Sequence, residues 1–196
     1  IIGAHLDHVG SQAGLLFPGA NDNASGSAGV LELAEAFQKS ELKPRRSILF
    51  VLFASEEQGL FGSKHFVEKL KIDTNKIEAM INLDCIGYGD SIQVGNGKSS
   101  PELWSLARKI DKENLNLVVE DTWGGGGADA TPFHEKGIPS LYFVSKNSYD
   151  HLHLPTDNPE TLNRDLLEKI VRLVYLTARQ VADGNYDNET TINQGE

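Results

Sequence analysis

The sequence predicts an α/β fold: a mostly parallel, mixed central sheet with helices on both faces. Three observations point to it. Short β-branched apolar runs alternate with segments of helical periodicity. Such alternation is what strand–helix–strand units produce. The conspicuous polar residues also fall just after the apolar runs, where open α/β sheets gather their ligands.

The first strand is expected at residues 1–5, "IIGAH". That opening reads as the middle of a strand, so an N-terminal segment, with any export signal, is expected to be missing. Val30, Leu31, Leu33, Ala34 and Phe37 form one stripe of a helix. Further strands are expected at 47–54, 77–84, 91–94, 115–119 and 140–144, with helices between most of them. Ser100 followed by Pro101 reads as an N-cap and first helical residue. "GGGG" at 124–127 reads as a mobile loop.

The last helix is the longest. Asn163 is its expected cap, and Leu166, Leu167, Ile170, Val171, Val174 and Val181 make its apolar face, with Gly184 just beyond. Residues 1–183 then form a single domain and 184–196 a polar tail without periodicity.

At 196 residues, 39% hydrophobic and 23% charged, the chain has the makings of one globular core. A net charge of −10 argues against nucleic acid, whose phosphates are held by Lys and Arg. No apolar run is long enough to span a membrane. A single cysteine, Cys85, excludes an internal disulfide.

The strand ends carry the chemistry. "HLDH" (His5, Asp7, His8) closes the first strand, "SEE" (Ser55, Glu56, Glu57) the second and "NLD" (Asn82, Asp84) the third. "PGANDNASG" contains Asp22, and "YDHLHLPTD" (His151, His153, Asp157) follows the final strand. Singly, each has an ordinary explanation. Asp22 could cap a helix, His5 could be a core histidine, and Asp84 or Asp157 could make a turn. Independent caps and turns need not converge on one edge of one sheet, however. Histidines mixed with carboxylates suit zinc, with cobalt or manganese as possible substitutes. Two ions sharing a carboxylate can lower the pKa of a water and clamp a substrate oxygen. Strand alternation would put His5 and Asp7 on one side, where Asp7 could accept the second ring N–H of His5. The same alternation would separate Glu56 from Glu57.

The segments "GAHLDHVG", "PGANDNASGSAGVLELA", "RRSILFVLFASEEQGLFGS", "INLDCIG", "ADATPFHEKGIPS" and "HLPTD" resemble, in order, those of the co-catalytic zinc peptidases. That group includes bacterial leucyl aminopeptidase, aminopeptidase Y and the glutamate carboxypeptidases. The resemblance implies a zinc-exopeptidase-like fold over residues 1–183 and peptide substrates. It also implies two zinc ions per chain: Asp22 bridging, His5 and Asp84 completing one site, and Glu57 and His153 the other. Glu56 would be the general base, and Asp7 would stand behind the ligands, against His5.

Two positions depart from the family pattern. Ala130 stands where a histidine commonly follows the aspartate, and Leu154 replaces a small hydroxyl residue in the final motif. The second departure leaves His151 competing with His153, which the spacing to Pro155 and Asp157 favours. Arg45, Arg46, Arg108, Arg164, Arg172 and Arg179 fall away from the strand-end loops. This favours an aminopeptidase over a carboxypeptidase, which would clamp a terminal carboxylate with arginine. Two alternatives share the scaffold: a single-zinc, glutaminyl-cyclase-like acyltransferase, with Trp123 as a candidate substrate wall, and an inactive binding module. An extracytoplasmic location is the expectation carried over from exported relatives. The oligomeric state has no signature in the sequence.

Overall fold

The computed structural model describes residues 1–186. Its centre is a five-stranded sheet made of β1 (Ile2–His5), β4 (Phe50–Phe53), β5 (Met80–Leu83), β6 (Ser91–Gly95) and β7 (Ser140–Lys146). The spatial order is β4-β1-β5-β7-β6. All neighbours are parallel except β6, which runs antiparallel to β7. The carboxyl ends of β1, β4 and β5 therefore share one edge, with His5 opposite Phe53 and Gly3 opposite both Val51 and Asn82.

Alternation along β7 shows how the two faces are filled. Leu141 and Phe143 belong to one apolar cluster, Tyr142 and Val144 to the other. The larger cluster packs under α1 (Gly26–Lys39), α3 (Pro101–Asn114) and α5 (Arg164–Ala182). The smaller lies under α2 (Phe61–Lys69) and α4 (Thr131–Glu135), where the rings of Phe53, Phe66 and Phe133 meet within about 6 Å of one another. The sheet is thus covered on both faces, though the edge strand β4 keeps Leu52 exposed.

The helix signals hold. Pro101 opens α3, and Asn163 caps α5 by accepting the Leu166 N–H at 3.2 Å. Ser100 is at the N-cap position of α3, but its hydroxyl accepts the Ser140 N–H instead. Gly184 follows α5 with φ +80, a conformation suited to glycine.

The strand expected at 115–119 does not form. This segment pairs with β6 through a single bridge, Ile92 N–H donating to the Leu117 carbonyl and Val119 N–H to the Ile92 carbonyl, while α3 side chains hold other backbone groups. The Asp111 carboxylate accepts the N–H groups of Leu117 and Val118, and Arg108 donates to the Val118 carbonyl. A small hairpin, β2 (Ser11–Gln12) with β3 (Leu15–Leu16), was not anticipated. Its turn residues Ala13 and Gly14 both have positive φ, the geometry of tight hairpins.

The glycine loop carries three hydrogen bonds to side chains. Gly125 N–H donates to Ser99 Oγ, Gly127 N–H to Thr131 Oγ1, and the Trp123 indole to the Gly126 carbonyl. Of the expected tail, Tyr186 is buried, and its carbonyl accepts from Arg46; residues 187–196 lie outside the described residues.

Candidate metal centre

The three strand ends and two loops bring together most of the residues singled out from the sequence. His5 Nε2 lies 3.3 Å from Asp22 Oδ1 and 3.3 Å from Asp84 Oδ1. His153 Nε2 lies 3.1 Å from Asp22 Oδ2 and 2.9 Å from Glu57 Oε2. The two oxygens of Asp22 therefore face two different imidazoles. Around a tetrahedral ion with bonds of about 2.0–2.1 Å, donor atoms sit roughly 3.3 Å apart. His5, Asp22 and Asp84 bring one donor atom each within 4.8 Å of one another, as do His8, Asp22 and Glu57, and His153 adjoins the second group through Asp22 and Glu57.

Three of the donors, His5, Asp84 and Asp22, are held by backbone or buried partners. His5 Nδ1 is 3.1 Å from the Asp7 carbonyl oxygen, which fixes Nε2 as the atom turned toward the carboxylates. Asp84 Oδ2 accepts from the Tyr142 hydroxyl at 3.4 Å. The Asp22 loop is tied down more tightly than its turn-like sequence suggests. Asp157 accepts the Asn21 N–H at 2.7 Å and the Asp22 N–H at 3.0 Å with separate oxygens. Asn21 accepts from Gly87 N–H and donates to the Ser148 carbonyl. Asn23 donates to the Leu83 carbonyl and accepts from Gly26 N–H. Every one of these buried polar groups finds a partner, as burial demands.

Asp7 does a different job from the one expected of it. Its carboxylate stands 3.8 Å from the His5 ring and accepts the backbone N–H groups of Glu56 and Glu57, at 3.1 and 3.3 Å. It thereby fixes the turn that carries the adjacent glutamates. That turn lies beyond β4, with Ser55 at φ +58, so the turn and not the strand pleat separates the two side chains. Glu57 joins His153, whereas Glu56 lies in the field of His5, Asp84 and Asp129.

His151 is placed elsewhere. Its Nδ1 is 2.9 Å from Thr156 Oγ1, and its ring stands edge-on to Tyr88. Two residues to which the sequence assigned no role do enter the site, His8 having been named only as part of "HLDH". His8 Nδ1 is 3.0 Å from Glu57 Oε1. Asp129 is fully buried, and neither of its carboxylate oxygens has a hydrogen-bond partner of good geometry among the described residues. Its only sequence signal is its place in "ADATPF", directly before Ala130.

Concentrated negative charge governs the electrostatics. Burial would lower the His5 pKa, but hydrogen bonds to Asp22 and Asp84, with the charges of Asp84 and Glu56, raise it to about 11. Burial pushes Glu56 up to about 7; His5 opposes this and the neighbouring carboxylates add to it. Burial likewise raises Asp129 to about 6. Carboxylates this crowded favour a cation, and a divalent ion here would lower their pKa values and displace a proton from His5.

A mostly parallel α/β sheet with two histidine–carboxylate groupings joined by one aspartate defines an α/β protein equipped to hold metal at its strand ends. Residues 1–178 match the model of peptidase family M28, and the chain belongs to that family. It is 31% identical over 187 residues to aminopeptidase YwaD of Bacillus subtilis (strain 168), covering 87% of this chain and 38% of that protein. The aminopeptidase from Aneurinibacillus sp. strain AM-1 superposes with a TM-score of 0.82 at 28% identity, covering 92% of this chain and 43% of that one. The zinc aminopeptidase BSAP from Bacillus subtilis superposes at 0.80 with 27% identity, covering 95% and 47%. The chain thus spans less than half the length of these relatives.

Proposed function

We propose that the chain is the catalytic portion of a zinc-dependent aminopeptidase that hydrolyses N-terminal peptide bonds at a two-ion centre. One observation carries the reading: Asp22 turns one carboxylate oxygen to His5 and the other to His153. His5, Asp22 and Asp84 would hold one zinc, and Asp22, Glu57 and His153 the other. Bound zinc supplies Lewis acidity, which acidifies a water and stabilises negative charge on a carbonyl oxygen.

The remaining steps belong to the protein. Glu56 is the general base and takes a proton from the attacking water. It then delivers that proton to the leaving amine. Its raised pKa, about 7 for the protein groups alone, suits a group that must both accept and release a proton. Asp7, through the two backbone N–H groups it holds, keeps Glu56 beside the reacting atoms.

The arginines support cleavage from the amino end. Arg46 is engaged with the Val181 and Tyr186 carbonyls and Glu78, Arg108 with Val118 and Glu120, and Arg179 with Asp183 and Leu42. These contacts lie away from the carboxylate cluster, so those three arginines are not available to clamp a substrate carboxylate there.

The test combines elemental analysis with a panel of amino-acid anilides, N-blocked peptides and N-terminal glutamine substrates. Two zinc ions per chain and turnover of free-amine anilides alone are expected. One ion with cyclisation of glutamine, or cleavage of blocked peptides, would replace this reading with another.

A further inference from the structure

We propose that His8 is a positioning residue for the second ion: it grips one oxygen of Glu57 so that the other is presented beside His153. This rests on the two-ion reading above. Each oxygen of Glu57 faces a different imidazole, Oε1 at 3.0 Å from His8 Nδ1 and Oε2 at 2.9 Å from His153 Nε2. His8 leans on Glu57 and not on the shared aspartate, since its Nδ1 is 3.7 Å from Asp22 Oδ2.

The proton decides the role. With its proton on Nδ1, His8 donates to Glu57 Oε1 and acts through Glu57; with the proton on Nε2, the same ring could join Asp22 and Glu57 around an ion, so the tautomer separates a positioning role from a ligand role.

The ring is closely packed, with Nε2 buried and without a hydrogen-bond partner among the described residues. Gly19, at φ +67, lies against it so closely that a Cβ there would stand 2.6 Å from His8 Cγ. The His153 ring meets it at a centroid distance of 5.6 Å and 69°. Glutamate has three freely rotating side-chain torsions, and a rigid donor on one oxygen removes much of the freedom that binding would otherwise have to freeze.

The test is zinc affinity. Wild type, His8→Leu and His8→Asn are equilibrated in graded zinc–chelator buffers, and ions per chain are counted. His8→Leu keeps bulk and loses the donor, while the asparagine amide can place an N–H near the position of Nδ1. The weaker ion should bind about 10- to 100-fold less tightly in His8→Leu and recover most of that loss in His8→Asn, with the other ion unchanged. Melting of the chelated proteins checks folding; if His8→Leu does not fold, His8→Ala takes its place. Unchanged affinities in the donorless variant, or an asparagine variant as weak as leucine, would overturn the assignment while two ions in the wild type leave the parent reading intact. A wild type that saturates with a single ion would sink both.

Discussion

Glu56 and Glu57 are neighbours in sequence with opposite prospects. Glu57 sits against two imidazoles, whereas Glu56 is raised toward neutrality by burial and by the carboxylates around it. The division of labour makes a sharp prediction. Glu56→Gln should retain both zinc ions and lose about 10²- to 10⁴-fold in kcat, read by elemental analysis beside anilide turnover. Turnover near wild type would remove Glu56 from the reaction. Glu57→Ala should instead give up one ion on dialysis, and a full complement of metal would refute its role. The adjacent pair was legible as a puzzle, because two negative charges closing an apolar run call for something positive. What escaped reading was the support. Asp157 resembles a turn residue beside Pro155 and Asn158, and nothing local announces that its two oxygens hold amides about 135 positions away.

Elements were legible wherever local chemistry decides them. Asn163 and Gly184 bracket α5 because a side-chain acceptor and a left-handed glycine are properties of single residues. Asn163→Ala should therefore cost about 1 kcal/mol in urea denaturation, with zinc content unchanged. Loss of metal in that variant would mean that the start of α5 is coupled to the site. Residues 115–119 had the composition of a strand and shrank to one bridge on β6, with Asp111 and Arg108 holding its other backbone groups from a helix that composition cannot place beside it. The partners of the glycine run stayed hidden for a similar reason. Its tethers, Ser99 and Thr131, are polar residues with nothing unusual about them until the chain folds.

At the scale of the molecule, the carboxylate cluster ties stability to acidity. A group whose pKa is higher in the folded protein favours the fold at low pH, and that benefit disappears as pH rises through the folded value. Asp129 at about 6, Glu56 at about 7 and His5 at about 11 all act in this sense. Asp22, whose pKa is lowered, acts the other way only below its ordinary range, and the buried Ile1 amino group, lowered to about 6, opposes the trend between about pH 6 and pH 8. In chelator, the melting temperature should accordingly fall from about pH 4 to pH 6, and Asp129→Asn should flatten that slope. Zinc should reverse the trend, because its ligands bind only after losing protons. A chelated protein whose stability rises over this interval would show that the buried carboxylates do not control it.

The bonds from Asp157 to the Asn21 and Asp22 amides also set a clock. At about 5–20 residues per second, a ribosome making this chain adds Asp157 roughly 7 to 27 s after Asp22. His153 arrives only four residues before Asp157. During synthesis, the nascent chain therefore displays histidines and carboxylates without the geometry to select among ions, and the choice of zinc falls to the finished domain in whichever compartment it folds.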